Sequence, residues 1–508
     1  MDALSTTVEN PIENNSLIES CFRCITQKLP VVRHTLSEYG AITVDTYATN
    51  SLMGSTESYQ SRRELAAVII EYVTPLLGKA VANRVAETLL KRPAALTANH
   101  HGVDYFAQSV QGSLLFSLSS PDAAIPVFAC GNIPLNNLTY PRGALIYPDL
   151  SENNASFPVK IPLFPDRLKR TTVSKAPALN DLMIDRMQNR ILKMQTADNN
   201  KHNSILQTLF NILEQEYRQE TVLRLSCYSD QSVILNQRLW QRLFANDVSA
   251  PPLVYLELEK IASRLLAYDL KNTSSLAYLL FFEPKALTRL HSELQTIKGS
   301  GTFLFWGINS AGCRISLFYE PQLNTLSGVD EQGEPFSVFI EPNEIYQSIL
   351  DGRLLPSLFT CFLVIAFARG VTCAGGYYQA EYLPQMLQAV TRSLSVNPEW
   401  ASIAEKIGNV NTTAYLSGMQ MVMNQYKNSL VPSGPIEIIT AGGLTCGDLK
   451  CLRSITVKQA HTASILDTVA DVMPDYMTKA GYLETRKKLA EETNLLLQNS
   501  HLIIKQFM

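Results

Sequence analysis

Two histidines and one aspartate lie close together in residues 97–104, which read TANHHGVD. The segment ends a short apolar run and contains a glycine, a combination typical of a turn after a buried strand. An imidazole can take a proton from a hydroxyl or an amine near neutral pH, and a carboxylate can fix its tautomer. The pattern predicts acid-base chemistry, with His100 or His101 as general base, Asp104 as the orienting carboxylate and Asn99 as a substrate contact.

The histidine and the aspartate are also spaced as a short motif. His100 and Asp104 form H-x-x-x-D, which resembles the histidine and aspartate signature of condensation-type and plant-type acyltransferases. Those families usually place a glycine after the aspartate, where this chain has Tyr105, and their second signature, aspartate-phenylalanine-glycine, does not occur downstream. The resemblance implies transfer of an acyl or aminoacyl group to an amine or a hydroxyl.

The same side chains allow other interpretations. His100 and Asp104 could be ligands of a metal in a hydrolase, with a distant side chain completing the set. Asp104 could instead be the N-cap of the following helix, in a turn that has no catalytic role. A protein that binds a small molecule or another protein would use the same loops without proton transfer. The sequence specifies no cofactor.

A polar loop at residues 131–143 follows the next apolar run. Asn132 and Asn136 offer amide donors and acceptors, and Arg142 offers a planar guanidinium that matches a carboxylate or a phosphate. These three residues are predicted to contact substrate, with Arg142 as the clamp for an acid group. The alternative is a turn, because Asn, Pro and Gly favour turns on conformational grounds.

A second loop with paired glycines supplies the other predicted binding residues. Gly375 and Gly376 would let a ligand approach the backbone closely, and Tyr377 and Gln379 would add polar groups. The loop does not match the glycine patterns of dinucleotide-binding or P-loop proteins, which argues against a nucleotide phosphate loop. It is predicted to form one wall of a ligand pocket.

The cysteines suggest neither a disulfide framework nor a metal site. There are nine, an odd and scattered set, which fits a reducing cytoplasm. Cys21 and Cys24 form C-x-x-C without a matching second pair, so we expect no zinc there. Cys446 is a weak candidate nucleophile at a predicted helix start.

Composition narrows the classes of partner. The formal net charge is -3, with 46% hydrophobic and 18% charged residues, which gives no basic footprint for nucleic acid. Residues 354–368 form the most apolar stretch, yet Pro356 interrupts it and a membrane span needs about 20 residues. Residues 1–16 do not resemble a secretory signal. We therefore expect a soluble cytoplasmic protein that acts on a small molecule, with no nucleic acid or membrane partner; the oligomeric state stays open.

Periodicity predicts alternating helices and strands, and hence an α/β fold, with α+β as the alternative class. Two lobes are expected, each a small sheet flanked by helices, with a helix-rich C-terminus and the pocket between them. The predicted domains are residues 1–60 (polar tail and first helix), 61–178 (an α/β lobe carrying the histidines), 179–300 (a mostly helical insertion or connector) and 301–508 (a second α/β lobe with a helical C-terminus). The main predicted helices are 61–77, 79–90, 105–118, 179–270, 345–368, 382–394 and 456 onward, and the strands are 95–98, 125–129, 144–147, 159–163, 302–308, 314–319, 336–340 and 436–440.

Overall fold

A computed structural model describes residues 16–54, 57–148, 158–197, 203–297, 301–426, 428–473, 481–498 and 500–506. Helices make up most of the regular structure in these residues. Their bounds are α1 Leu17–Lys28, α2 Pro30–Tyr39, α3 Val44–Ser51, α4 Arg62–Leu77, α5 Lys79–Lys91, α6 Ala107–Ser119, α7 Asp181–Ala197, α8 Asn203–Ile212, α9 Glu220–Leu223, α10 Tyr228–Arg242, α11 Leu258–Asp269, α12 Leu276–Phe282, α13 Pro284–Leu294, α14 Pro342–Leu350, α15 Leu358–Phe362, α16 Tyr377–Leu394, α17 Ala401–Gly408, α18 Pro435–Thr440, α19 Cys446–Leu452, α20 Val457–Ala463, α21 Ile465–Val472 and α22 Tyr482–Leu497.

The strands are short and fall into several sheets. Their bounds are β1 Ala94–Leu96, β2 Ile125–Ala129, β3 Gly143–Ile146, β4 Val159–Pro162, β5 Leu253–Glu257, β6 Phe305–Ile308, β7 Arg314–Ser316, β8 Phe318–Glu320, β9 Thr325–Val329, β10 Pro335–Phe339, β11 Leu354–Pro356, β12 Thr372–Gly376, β13 Tyr415–Ser417, β14 Val422–Tyr426, β15 Ser429–Pro432 and β16 Ile503–Lys505. Small sheets flanked by helices confirm the predicted α/β class.

One five-stranded sheet lies at the centre, in the order β13-β12-β1-β2-β5, and all its neighbours are parallel. The chain builds outward from β1 to β2 and β5 on one side, then returns to add β12 and β13 on the other. This is the order of a doubly wound sheet, whose winding reverses between β1 and β12. Loops that leave the carboxyl ends of the strands there are the expected location of a site.

The central strands are buried along almost their whole length, as parallel strands covered by helices must be. Helices α4 and α5 pack on β2 and β5, whereas α6 packs on β1, β2 and β13. These layers fix the position of the loop between β1 and α6, which carries both histidines.

The central sheet draws strands from three of the predicted domains, because β5 lies inside the segment predicted to be helical. Residues 253–257 read LVYLE, and a short apolar run of this kind fits a buried strand or a buried helix equally well by periodicity. The prediction of helix throughout 179–270 was therefore wrong at β5. The division into two lobes stays a prediction.

Three other predicted elements were wrong. The chain from residue 456 onward was predicted to be helical throughout, but residues 503–505 form strand β16. Residues 436–440 form helix α18 instead of a strand, because Pro435 occupies the first helical turn. The predicted helix 345–368 is divided into α14, β11 and α15, and α14 ends before Gly352, which has φ +66°. A positive φ cannot continue a right-handed helix.

Within the described part of the chain, none of the helices combines the length and apolar character that a bilayer crossing needs.

Candidate functional site

The loop of residues 97–106 leaves the carboxyl end of β1 at the reversal point and leads into α6. Asn99 and His101 exchange backbone hydrogen bonds with Cys130 (3.0 and 2.8 Å), so the loop briefly extends the pairing of β1 with β2. Gly102 has φ +115°, and a Cβ there would lie 2.5 Å from Pro141, which explains the glycine. The predicted strand-to-turn-to-helix context of the histidines is confirmed.

Asp104 holds this loop in place through hydrogen bonds of its carboxylate and of its backbone N–H. Its carboxylate accepts from the Tyr255 hydroxyl (2.6 Å), the Asn99 amide (3.3 Å) and the backbone N–H of Phe106 (3.0 Å). Its own N–H donates to the Asn236 side chain (2.9 Å). With its oxygens directed at these donors, Asp104 fixes the loop, and neither histidine is among its hydrogen-bond partners.

Burial raises the pKa of Asp104 from 3.8 to about 6, which predicts a specific pH dependence. Because the native pKa is raised, the folded state binds the Asp104 proton more tightly than the unfolded chain does. The stabilisation from this proton is present below about pH 4 and is lost as the pH rises to about 6. Asp104→Asn removes the titration. We expect the free energy of unfolding of the wild type, relative to Asp104→Asn, to fall by about 2–3 kcal/mol across that window. Urea unfolding at pH 4, 5, 6 and 7 measures it; a constant difference would contradict the prediction.

His100 is half-buried beside the loop after β2. Its Nδ1 lies 3.1 Å from the Thr139 hydroxyl. Burial, aided by the positive charge of Arg314, lowers the pKa of His100 to about 4. The imidazole is therefore neutral at pH 7.

His101 is fully buried, and its two ring nitrogens differ sharply. Nε2 lies 3.1 Å from the backbone carbonyl oxygen and 3.0 Å from the hydroxyl of Ser229, at the start of α10. Nδ1 is buried and has no hydrogen-bond partner among the described residues. Burial lowers the pKa of His101. A buried polar atom without a hydrogen-bond partner lowers the stability of the fold unless a bound molecule supplies the partner.

Ser229 connects His101 to a charged pair at the end of β5. The Ser229 hydroxyl donates to the Glu257 carboxylate and accepts from Lys260 Nζ (3.2 Å). Lys260 also pairs with Glu257 (3.0 Å) and Asp230 (2.9 Å). Although burial opposes ionisation, the charge of Lys260 and the hydrogen bonds from Ser229 and Lys260 hold the pKa of Glu257 below its ordinary value.

Glu259 lies two residues beyond Glu257 and is also fully buried. Its carboxylate accepts from the backbone N–H groups of Gly131 (2.7 Å) and Asn132 (3.2 Å), and from the Cys130 thiol (3.2 Å). Burial, with repulsion from Glu257, raises the pKa of Glu259 to about 7. The ends of β1, β2 and β5 thus meet in one polar cluster.

Of the polar loop at residues 131–143, which follows β2, only a part contacts this cluster. Asn132 is buried there, whereas the side chain of Asn136 is exposed. Arg142 is buried, donates to the Phe164 carbonyl oxygen (2.9 Å) and pairs with Asp166. These contacts occupy the guanidinium, and its role as a substrate clamp stays a prediction.

The paired-glycine loop reaches the same edge of the sheet, because β12 pairs with β1. Gln379 is buried and its amide bonds the Thr97 hydroxyl (2.8 Å) and the Cys373 carbonyl oxygen (3.0 Å). Its side chain occupies the space a Cβ at Gly375 would need. Gly376 is half-buried, and a Cβ there would make only ordinary van der Waals contacts, the nearest at 3.8 Å from the Ser417 carbonyl oxygen.

Tyr377 turns away from this edge, donating its hydroxyl to Asp471 at 2.5 Å. These two residues join the start of α16 to α21. The contact of Tyr377 with substrate stays a prediction.

The described residues hold no group of three or more His, Cys, Asp and Glu side chains placed to bind a metal. Cys21 is buried and Cys24 half-buried on α1, and both are free thiols. Cys446 is exposed, with its Sγ 3.9 Å from the Asp247 carbonyl oxygen.

Sequence reasoning missed Ser229, Glu257, Glu259, Lys260 and Arg314. A signal for the acidic pair existed, since residues 256–260 read LELEK directly after an apolar run. Glutamates at the end of a buried strand are unusual unless paired or functional. Ser229 and Arg314 carry no comparable local signal.

Comparison with protein-family models, with curated proteins and with solved structures finds no match to the chain.

Proposed function

We propose that the protein transfers an acyl or aminoacyl group to the amine or hydroxyl of a small molecule, with His101 as the general base. One observation carries the proposal. His101 Nδ1 is a buried acceptor without a partner among the described residues, while Nε2 is held in place by Ser229.

The contact with Ser229 determines which nitrogen carries the proton. A backbone carbonyl oxygen can only accept, so the 3.1 Å contact requires Nε2–H as the donor. Nδ1 of the neutral ring then carries a lone pair. The lowered pKa of His101 keeps the ring neutral at pH 7 and this lone pair available.

In the proposed reaction, the acceptor's O–H or N–H donates to His101 Nδ1. The proton moves to Nδ1 as the acceptor atom bonds to the acyl carbon of the donor. The tetrahedral adduct then collapses, the bond to the leaving group breaks, and the imidazolium returns the proton to that group. The acyl group moves to the acceptor with no net proton change, as acid-base catalysis requires.

Ser229 and Glu257 are the positioning residues in this scheme, in place of the predicted Asp104. The hydroxyl of Ser229 bridges His101 Nε2 and the Glu257 carboxylate, so a negative charge lies behind the ring. That charge raises the pKa of His101 and therefore favours the imidazolium that forms during transfer.

Burial of His101 shields the proton transfer from bulk water, which limits hydrolysis of the donor. The His101 neighbours Ala98, His100 and Cys130 are half-buried, and we propose that substrates approach from their side. We also propose a cytoplasmic location, because all nine cysteines are free thiols, which favours a reducing compartment.

The test combines catalysis with a spectroscopic measurement. Wild-type protein is incubated with acyl and aminoacyl thioesters as donors and with amines and alcohols as acceptors, and mass spectrometry detects new amides and esters. Nitrogen-15 NMR assigns the His101 tautomer. We expect product, and a proton on Nε2 at pH 7.

The control variant is Ser232→Ala. It removes a hydroxyl that lies 3.4 Å from His101 Nε2, farther than that of Ser229, and it should therefore keep both the product and the tautomer signal. Absence of product across the series, or a proton on Nδ1, would contradict the proposal.

A further inference from the structure

Arg314, on β7, is a cation held in place without a carboxylate partner. Its guanidinium lies 4.4 Å from the ring centre of Trp306. It donates one long hydrogen bond, 3.4 Å, to the backbone carbonyl oxygen of Asn132. Arg314 is exposed, and among the described residues it forms no ion pair, so most of its N–H groups are open to solvent or a ligand. Stacking orients a planar guanidinium for bidentate binding of an oxyanion.

This guanidinium lies at the same sheet edge as the histidines. Asn132 follows Cys130, which is paired with His100 along the extension of β1 and β2. Burial, with a contribution from the positive charge of Arg314, lowers the pKa of His100; partial burial also lowers the pKa of Arg314, against the opposing effect of the Glu259 carboxylate. The cation that faces the histidine loop is thus Arg314 rather than Arg142.

Arg314 also lines a 710 Å³ cavity, a size typical of small-molecule sites. The carboxylates along this cavity are already occupied. Asp330 accepts from the N–H groups of Gln332 and Glu334, Glu331 pairs with Arg170, and Glu320 accepts from Ser327. Among the described residues that line the cavity, Arg314 is the one cation, whereas Asp330 and Glu320 are bonded by neutral donors.

We propose that Arg314 binds the carboxylate or phosphate group of a small molecule whose remainder lies in this cavity. Phe318, on β8, lines the same cavity and is 68% exposed. Its ring provides an apolar wall in the cavity that Arg314 also lines. The ligand class is therefore a small acid with an apolar or aromatic part.

Binding at Arg314 does not depend on catalysis, but the identification of this acid as an acyl donor or acceptor rests on the proposed function. The probes are benzoate, which combines a carboxylate with a ring, and inorganic phosphate. Isothermal titration calorimetry measures the affinity of the full chain for each probe. We expect at least one of them to bind.

Arg314→Lys should weaken that binding at least tenfold, because an ammonium cannot reproduce the planar fork. The matched control is Arg353→Lys, since Arg353 is exposed and also lies over an aromatic ring, that of Phe336. Phe318→Ser should weaken benzoate but not phosphate, and Phe339→Ser, similarly exposed on β10, should change neither.

Equal affinity of the wild type and Arg314→Lys, or binding of neither probe by the wild type, would overturn this inference. The two proposals can fail separately. Loss of probe binding in Arg314→Lys without any acyl transfer by the wild type would retain the anion site and reject the reaction. Acyl transfer by the wild type, together with equal probe binding by the wild type and Arg314→Lys, would retain the reaction and reject the anion site.

Discussion

We expect His101→Gln to lower the rate of the proposed acyl transfer by about 10²–10⁴-fold, the range found when a general base is removed. Glutamine can still donate to the Ser229 carbonyl oxygen but offers no basic lone pair where Nδ1 lies. The loss should appear in kcat, because the substituted group acts on the proton and not on substrate binding. Steady-state kinetics with the best donor and acceptor pair measure it.

The control for His101→Gln is His100→Gln in the adjacent position. His100 has a hydroxyl partner, Thr139, whereas the Nδ1 of His101 has none among the described residues. We expect His100→Gln to retain more than about a tenth of the wild-type kcat, far above the loss assigned to a general base. The opposite ranking of the two variants, with both folded by circular dichroism, would assign the base to His100 instead.

Arg369→Met lowers the free energy of unfolding by about 3–5 kcal/mol, because it leaves a buried carboxylate without its cation. The Arg369 guanidinium is completely buried and bonds both oxygens of Asp269, at 2.7 and 3.1 Å. It also donates to Glu64 at 2.6 Å and to the Val364 carbonyl oxygen at 2.8 Å. Urea denaturation at pH 7 measures the change.

Two comparisons separate the charge effect from loss of packing. Arg353→Met, at an exposed arginine, should cost less than about 1 kcal/mol. The double variant Arg369→Met with Asp269→Leu should be less destabilised than the sum of its single variants, because neither charge is then left unpaired. Additive losses in this cycle would contradict the proposed origin of the effect.

Local pattern predicted the elements around the histidines well. The β2 strand was predicted at its observed bounds, residues 125–129, and the helices at residues 61–77 and 79–90 differ from α4 and α5 by one residue at an end. The two helices have a length and an apolar period that distinguish helix from strand. The short β5 strand lacks such a period, and its assignment depends on β2 beside it.

The polar cluster could not be assembled from the sequence because its members meet through the sheet. His101 and Ser229 are 128 residues apart, and Arg314 meets Asn132 across 182 residues. Arg142 is predicted as the clamp because it stands between Pro141 and Gly143 in a loop that the strand order could bring near the histidines, but neither point says which cation is free. The contacts with Phe164 and Asp166 became visible only in three dimensions.

The position of β1 between β2 and β12 also sets the time at which the central sheet can be completed in a growing chain. Its partner strand β12 follows about 280 residues later, which at ribosomal rates of about 5–20 residues per second means a delay of roughly 15–55 s. During that interval one edge of β1 has no strand to pair with. Nascent chains of this protein therefore carry an open apolar strand edge that would attract chaperones or other unfinished chains.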